Sequence, residues 1–154
     1  KSFVISMDTW LLDLQFTWTG PKSKNKVDKS HNYFSDERIS GGSKMYYQFL
    51  SNCINSNVVD RIIPLPTATQ NGAMTLLSHG VRPDFMYIDA SHSNPDVFID
   101  FENFYKILKP GGTIAFDDLE IVPSTQTAFE RLVERYGLRP VAINRNQAYI
   151  TKRG

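Results

Sequence analysis

The sequence predicts an α/β fold: a mostly parallel sheet with helices between its strands and an antiparallel hairpin at its end. Short apolar runs alternate with longer amphipathic ones, the pattern that strand–helix units produce. The strand-like run Phe85-Met86-Tyr87-Ile88 has an unbroken apolar centre, which suggests burial on both faces, as in a parallel sheet. Near the end, residues 140–143 and 147–151 flank a tight Asn144-Arg145-Asn146 turn, the sign of a hairpin.

Taken in order, Phe3 to Met7 is a short Val- and Ile-bearing strand that stops at Asp8. Residues 15–42 form a polar insertion with Lys22, Lys24, Lys26 and Lys29, Gly20-Pro21 and Gly41-Gly42. So long an irregular stretch reads as a lid or a disordered loop. Met45, Phe49 and Cys53 recur at helical spacing, so residues 45–54 are a helix. A strand over Arg61 to Leu65 ends among Pro64 and Pro66. A helix follows over Asn71 to His79, closed by Gly80. The strand ending at Asp89 leads to Asn94-Pro95, read as an N-cap and a first helical position. Asp96 suits the helix dipole there. That helix carries Phe98, Phe101, Phe104 and Tyr105 as core, and stops at Lys109-Pro110-Gly111-Gly112. The next strand, Thr113 to Phe116, ends in Asp117-Asp118. Ser124 then caps a helix that Gly137 terminates.

At 154 residues and 41% hydrophobic the chain is sized for one domain. A net charge of +1 gives no global argument for nucleic acid or a membrane surface. The lone Cys53 forms no internal disulfide, and no apolar run nears the ~20 residues of a membrane span. The expectation is a cytoplasmic domain, with neither membrane nor nucleic acid as partner. The chain opens on Lys1 rather than methionine, so a piece of something longer is expected.

Three strands end in aspartate: Asp8, Asp89 and Asp117, with Asp118 beside the last. Ligands of open α/β sheets bind at the carboxyl ends of parallel strands. Each acid alone also suits a solvated loop or a cap. Adjacent carboxylates such as Asp117-Asp118 repel, and a divalent cation relieves the repulsion, so magnesium or calcium stands beside the cap reading. Trp10, Trp18, Tyr33 and Phe34 flank the insertion, either as loop anchors or as stacking surfaces for a substrate.

The stretch Ile88-Asp89-Ala90-Ser91-His92, followed by Leu108-Lys109-Pro110-Gly111-Gly112-Thr113-Ile114-Ala115-Phe116-Asp117-Asp118, resembles class I S-adenosylmethionine-dependent methyltransferases. The closest likeness is to small-molecule O-methyltransferases with an "IDGSH" turn and an "LKPGG…DD" strand entry. Val4 to Trp10 resembles the group's second strand, and the reversed last strand matches the terminal hairpin. The resemblance implies a Rossmann-like fold and methyl transfer from S-adenosylmethionine to a hydroxyl of a small molecule. It implies that Asp8 holds the cofactor ribose, since a carboxylate accepts two hydrogen bonds from a vicinal diol. It places Thr67 and Ala68 against the adenine, although the family often has an acid where Thr67 stands. It makes Asp89, Asp117 and Asp118 a metal-binding triad for Mg2+. His92 becomes either a general base or a turn histidine at the following helix.

The family's first strand and glycine-rich cofactor turn precede the strand ending in Asp8, where this chain begins. In the family's sheet that first strand lies between those ending at Asp8 and Asp89. The expectation is weak cofactor binding by the chain alone, with self-association or completion by another segment. A non-catalytic or partner-dependent fragment is therefore the rival reading. A dehydrogenase is disfavoured, because no G-x-G-x-x-G follows any strand.

Overall fold

A computed structural model describes residues 2–11, 38–39, 42–93 and 95–154. The chain divides into two compact units, Lys1–Ala68 and Thr69–Gly154. Among the described residues no helix is long and apolar enough to cross a membrane.

The first unit contains β1 (Val4–Asp8), β2 (Arg38–Ile39), β3 (Gly42–Ser43), α1 (Lys44–Asn55) and β4 (Ile62–Pro66). β1 and β4 pair in parallel, from Val4 opposite Ile62 to Asp8 opposite Pro66. Pro64 and Pro66 cannot donate to a ladder, and β4 tolerates them because, among the described residues, it pairs on one side only. β2 and β3 form a short antiparallel pair at the end of the predicted insertion. The rest of the predicted lid, with Trp18, Tyr33, Phe34 and the four lysines, lies outside the described residues. Trp10 is only 6% exposed, with its ring 4.9 Å from Tyr46 and 5.1 Å from Phe49. It anchors the segment after β1 to α1, so of its two predicted roles the structure shows the packing one. Cys53 is buried as a free thiol on the predicted inner face of α1.

The second unit contains α2 (Thr69–Ser78), β5 (Phe85–Ile88), α3 (Asp96–Ile107), β6 (Thr113–Phe116), α4 (Pro123–Tyr136), β7 (Val141–Ala142) and β8 (Ala148–Thr151). Its sheet runs β5-β6-β8-β7. β5 and β6 are parallel, while β8 is antiparallel to both β6 and β7. The terminal hairpin is therefore the predicted one. β5 departs from expectation: Met86 and Ile88 are buried, but Phe85 is 62% and Tyr87 51% exposed. Its apolar run thus covers one buried and one open face. In β6, by contrast, Ile114 and Phe116 on one face and Ala115 on the other are all buried.

All four helix starts differ from the sequence reading, α1 by beginning at Lys44, one residue before Met45. α2 begins at Thr69, two residues before Asn71. Asn94 lies outside the described residues, and Pro95 takes the N-cap position of α3 rather than its first turn. The N-cap of α4 is Val122, with Pro123 in its first turn. Ser124 is already inside the helix, and its hydroxyl donates instead to the carbonyl of His92.

Phe116 packs edge-on against Phe101 of α3 (ring centroids 4.6 Å) and Phe129 of α4 (5.1 Å), around Leu108, Leu132 and Ile150. The Lys-Pro-Gly-Gly turn between α3 and β6 has a steric reason. A Cβ on Gly112 would lie 3.0 Å from the Asp84 carbonyl, the Lys109 carbonyl and a Leu108 methyl. Lys152, at the end of β8, donates through Nζ to the carbonyls of Tyr105, Lys106 and Leu108 at 2.9–3.0 Å. It caps α3, whose last carbonyls have no partner within the helix.

Asp100, on the buried face of α3, is 2% exposed. Its Oδ1 accepts from Thr69 Oγ1 at 2.7 Å, while Oδ2 has no partner among the described residues. Burial pushes its carboxyl up to about 6, with the Thr69 hydrogen bond opposing and Asp96 adding to the rise. The folded chain therefore holds a proton on Asp100 at pH values where the unfolded chain has released it. Stability contributed by the neutral form is present below the unfolded value of 3.8 and is lost as pH rises through about 6. The expected loss is about 3 kcal/mol. Asp100→Asn should flatten the profile across this window in urea denaturation followed at several pH values. An unchanged slope would refute this account of Asp100.

Candidate active site

Ile88 and Phe116 are register partners at the ends of the parallel strands β5 and β6. Asp89 and Asp117 consequently leave the sheet side by side, and the Asp117 amide donates to the Ile88 carbonyl at 3.1 Å. A small hollow opens there, with Asp89, Ser91, His92 and Asp117 in its wall and the buried Asp100 and Thr125 behind them. The hydroxyl of Thr125, like Asp100 Oδ2, has no partner among the described residues.

Asp117 is saturated. Oδ1 accepts from the Asp118 amide (2.8 Å) and Asn146 Nδ2 (3.1 Å). Oδ2 accepts from the Tyr87 hydroxyl and from Gln147 Nε2 (3.1 Å). A carboxylate offers about four acceptor positions, and all are used. The Tyr87 hydrogen bond, ahead of the others, holds the Asp117 carboxyl below its usual range. Reciprocally, that bond pushes the Tyr87 hydroxyl up to about 12.

Asp118 follows in left-handed backbone, φ +57°, uncommon for any residue but glycine. Its Oδ1 accepts from the same Asn146 amide at 3.0 Å. Its Oδ2 lies 2.9 Å from His92 Nε2. Asp89, His92 and Asp118 each present one ligand atom within 4.8 Å of the others. Partial desolvation, then the charges of Asp117 and Asp118, raise the Asp89 carboxyl, with His92 opposing. Of the predicted triad the structure brings Asp89 and Asp118 together, adds His92, and gives Asp117 to hydrogen bonding. Two carboxylates and an imidazole suit a divalent cation. The oxygens favour Mg2+ or Mn2+, and the nitrogen widens the choice to softer ions.

In the first unit, Asp8 ends β1 as an exposed residue, with Thr67 and Ala68 just past β4. The Thr67 amide donates to the Asp8 carbonyl at 3.0 Å, so the three share one strand-end rim. One carboxylate oxygen of Asp8 accepts the Trp10 amide at 2.6 Å. An exposed acid at this position fits a ribose diol.

Asn146 and Gln147 were legible only as parts of a turn and a strand. Nothing in their spacing points sixty residues back to Tyr87 or thirty to Asp117.

Residues 23–119 match the sequence model of the family described as "Methyltransferase domain". No curated protein matches the chain. Solved structures resemble it at low identity. The O-methyltransferase NovP is 16% identical, with a TM-score of 0.67 over 99% of this chain and 60% of its own. CalS11, a TDP-rhamnose 3'-O-methyltransferase of calicheamicin biosynthesis, is 15% identical, with a TM-score of 0.60 over 97% and 58%. An O-methyltransferase from Bacillus cereus, in complex with SAH, is 19% identical, with a TM-score of 0.53 over 73% and 64%. The likeness is to a Rossmann-like methyltransferase fold, and the chain spans about 60% of the length of the first of these.

The pairing of Tyr87 with Asp117 has a direct consequence. Asp117→Asn removes the charge that opposes tyrosinate formation, so Tyr87 should ionise nearer its ordinary 10.0. A tyrosine ultraviolet titration of the variant, compared with Tyr87→Phe, checks this. Unaltered ionisation in Asp117→Asn would dissolve the link.

Proposed function

As the chain belongs to the methyltransferase domain family, we propose that the protein transfers a methyl group from S-adenosylmethionine to a hydroxyl of a small molecule, assisted by a divalent cation such as Mg2+. The observation that carries the reading is the convergence of Asp89, His92 and Asp118 at the carboxyl ends of β5 and β6. Asp8 accepts the ribose hydroxyls, and Thr67 and Ala68 contact the adenine. Asp89 and Asp118, with His92, hold the cation. A bound divalent cation lowers the pKa of the acceptor hydroxyl and orients its oxygen. That oxygen attacks the sulfonium methyl in line, the carbon–sulfur bond breaks, and S-adenosylhomocysteine leaves. Alignment and deprotonation supply the catalysis, without a covalent enzyme intermediate.

The 2.9 Å contact between His92 and Asp118 supports a second reading. There Asp118 orients the imidazole, and His92 takes the hydroxyl proton without a metal. Among the described residues, β1 and β5 are each paired on one side only. Open edges accept strands, which supports a homo-oligomer or completion by another segment. A cytoplasmic setting fits the free Cys53.

A methyl-transfer assay with labelled cofactor over a panel of small hydroxyl acceptors tests the proposal. Chelation should abolish turnover and Mg2+ restore it. Asp89→Asn should lower turnover about a hundredfold or more, as loss of several kcal/mol of cation assistance implies. Turnover indifferent to chelators but lost in His92→Ala would establish the metal-free base instead. A protein that neither binds cofactor nor turns over would be a non-catalytic member of the family. Asp8→Ala should weaken cofactor binding by about 1.5–3 kcal/mol in calorimetry, the size of a lost charge-assisted hydrogen bond.

A further inference from the structure

The connection between β7 and β8 reaches the acid cluster through Gln147, which touches Asp117 alone, and through Asn146, which touches both acids. Asn146 Nδ2 donates to both Asp117 Oδ1 (3.1 Å) and Asp118 Oδ1 (3.0 Å). Its Oδ1 accepts the amides of Glu120 (3.2 Å) and Ile121 (3.3 Å). Its backbone carbonyl accepts the Leu119 amide at 3.0 Å. One side chain therefore holds the two adjacent carboxylates from one end and the loop beyond them from the other.

This solves two problems at Asp118. Neighbouring carboxylates repel, and a shared donor pulls both toward one point. The left-handed backbone of Asp118 is strained, and such strain persists only where its surroundings over-determine it. With Oδ1 fixed by Asn146, Asp118 turns Oδ2 toward His92 Nε2. An amide is required for this: a carboxylate at 146 has no donor for Asp117 and Asp118, and an apolar residue has neither donor nor acceptor.

We propose that Asn146 is a positioning residue of the site, fixing the Asp118 carboxylate against His92 and Asp89 from the hairpin whose Gln147 holds Asp117. The effect on cation binding rests on the proposed function; the effect on the His92–Asp118 pair does not.

Two readouts on the whole chain separate these. The first is the 15N signal of the His92 ring at fixed pH without metal, with the His79 ring as internal reference. His79 lies in the turn after α2, with its ring against the Thr75 carbonyl. The second is Mn2+ affinity. Asn146→Ala should shift the His92 signal, leave that of His79, and weaken Mn2+ binding by about tenfold or more, as loss of a hydrogen bond to a charged group implies. Thr151→Ala, which breaks a side-chain contact at the far end of β8, should change neither. Asn146→Ser, too short to span both carboxylates, serves if the alanine variant folds poorly. An unmoved His92 signal overturns the proposal. So does an unchanged Mn2+ affinity in a protein whose Asp89→Asn variant has lost binding. Absence of Mn2+ binding by the unaltered protein would instead refute the cation reading, and the His92 signal alone then decides the role of Asn146.

Discussion

The site depends on the burial of β6. Ile114 and Phe116 are sealed between the helices and the neighbouring strands, with hydrogen-bonded partners on both edges. Loss of the Phe116 ring would cost about 3–5 kcal/mol, a large part of a small domain's stability. A strand so fixed cannot slip in register without turning Phe116 to the wrong face. The carboxylates that follow are therefore delivered to one place, immediately where the apolar packing ends.

Delivering two charges there creates an electrostatic problem, which the structure resolves asymmetrically. Asp117 is surrounded by donors and held ionised. Asp89, more weakly supported, is pushed the other way by desolvation and by its neighbours' charge. Two like groups on adjacent strand ends thus acquire opposite tendencies. One is committed to the protein's own hydrogen bonds, and the other is pushed toward its neutral form. Such divergence among carboxylates is how a site assigns separate tasks to one residue type.

Much of this architecture was legible because it is local. Alternating apolar runs marked β1, β4, β5 and β6, and the acids at the ends of β1, β5 and β6 followed from chain order alone. The Lys-Pro-Gly-Gly turn was readable as a helix stop, and a side chain at Gly112 would crowd the Asp84 and Lys109 carbonyls. The one-sided burial of β5 was not readable, since Phe85 and Tyr87 are as apolar as Met86 and Ile88 and only a covering layer separates them. Helix starts shifted where tertiary bonds took the capping groups, as Ser124 shows by reaching His92 instead of its own helix end. The division of labour between Asp117 and Asp118 was hidden for a similar reason. It is set by Tyr87, Asn146 and Gln147, which meet the acids only through sheet pairing.

The Lys152 cap carries a temporal consequence. The carbonyls it satisfies belong to Tyr105, Lys106 and Leu108, and the last of these lies 44 residues earlier in the chain. During synthesis the β5–β6 half of the sheet can emerge and begin to collapse while those carbonyls, and the donors awaited by the acid pair, are still being translated. Loop closure over that span comes late and slowly compared with helix formation. A ribosome pausing after α4 would therefore hold a half-sheet whose acids are present but unarranged. The segment from Asn146 to Lys152 supplies both the donor to the acid pair and the cap of the helix end, so both wait on the same late stretch of chain.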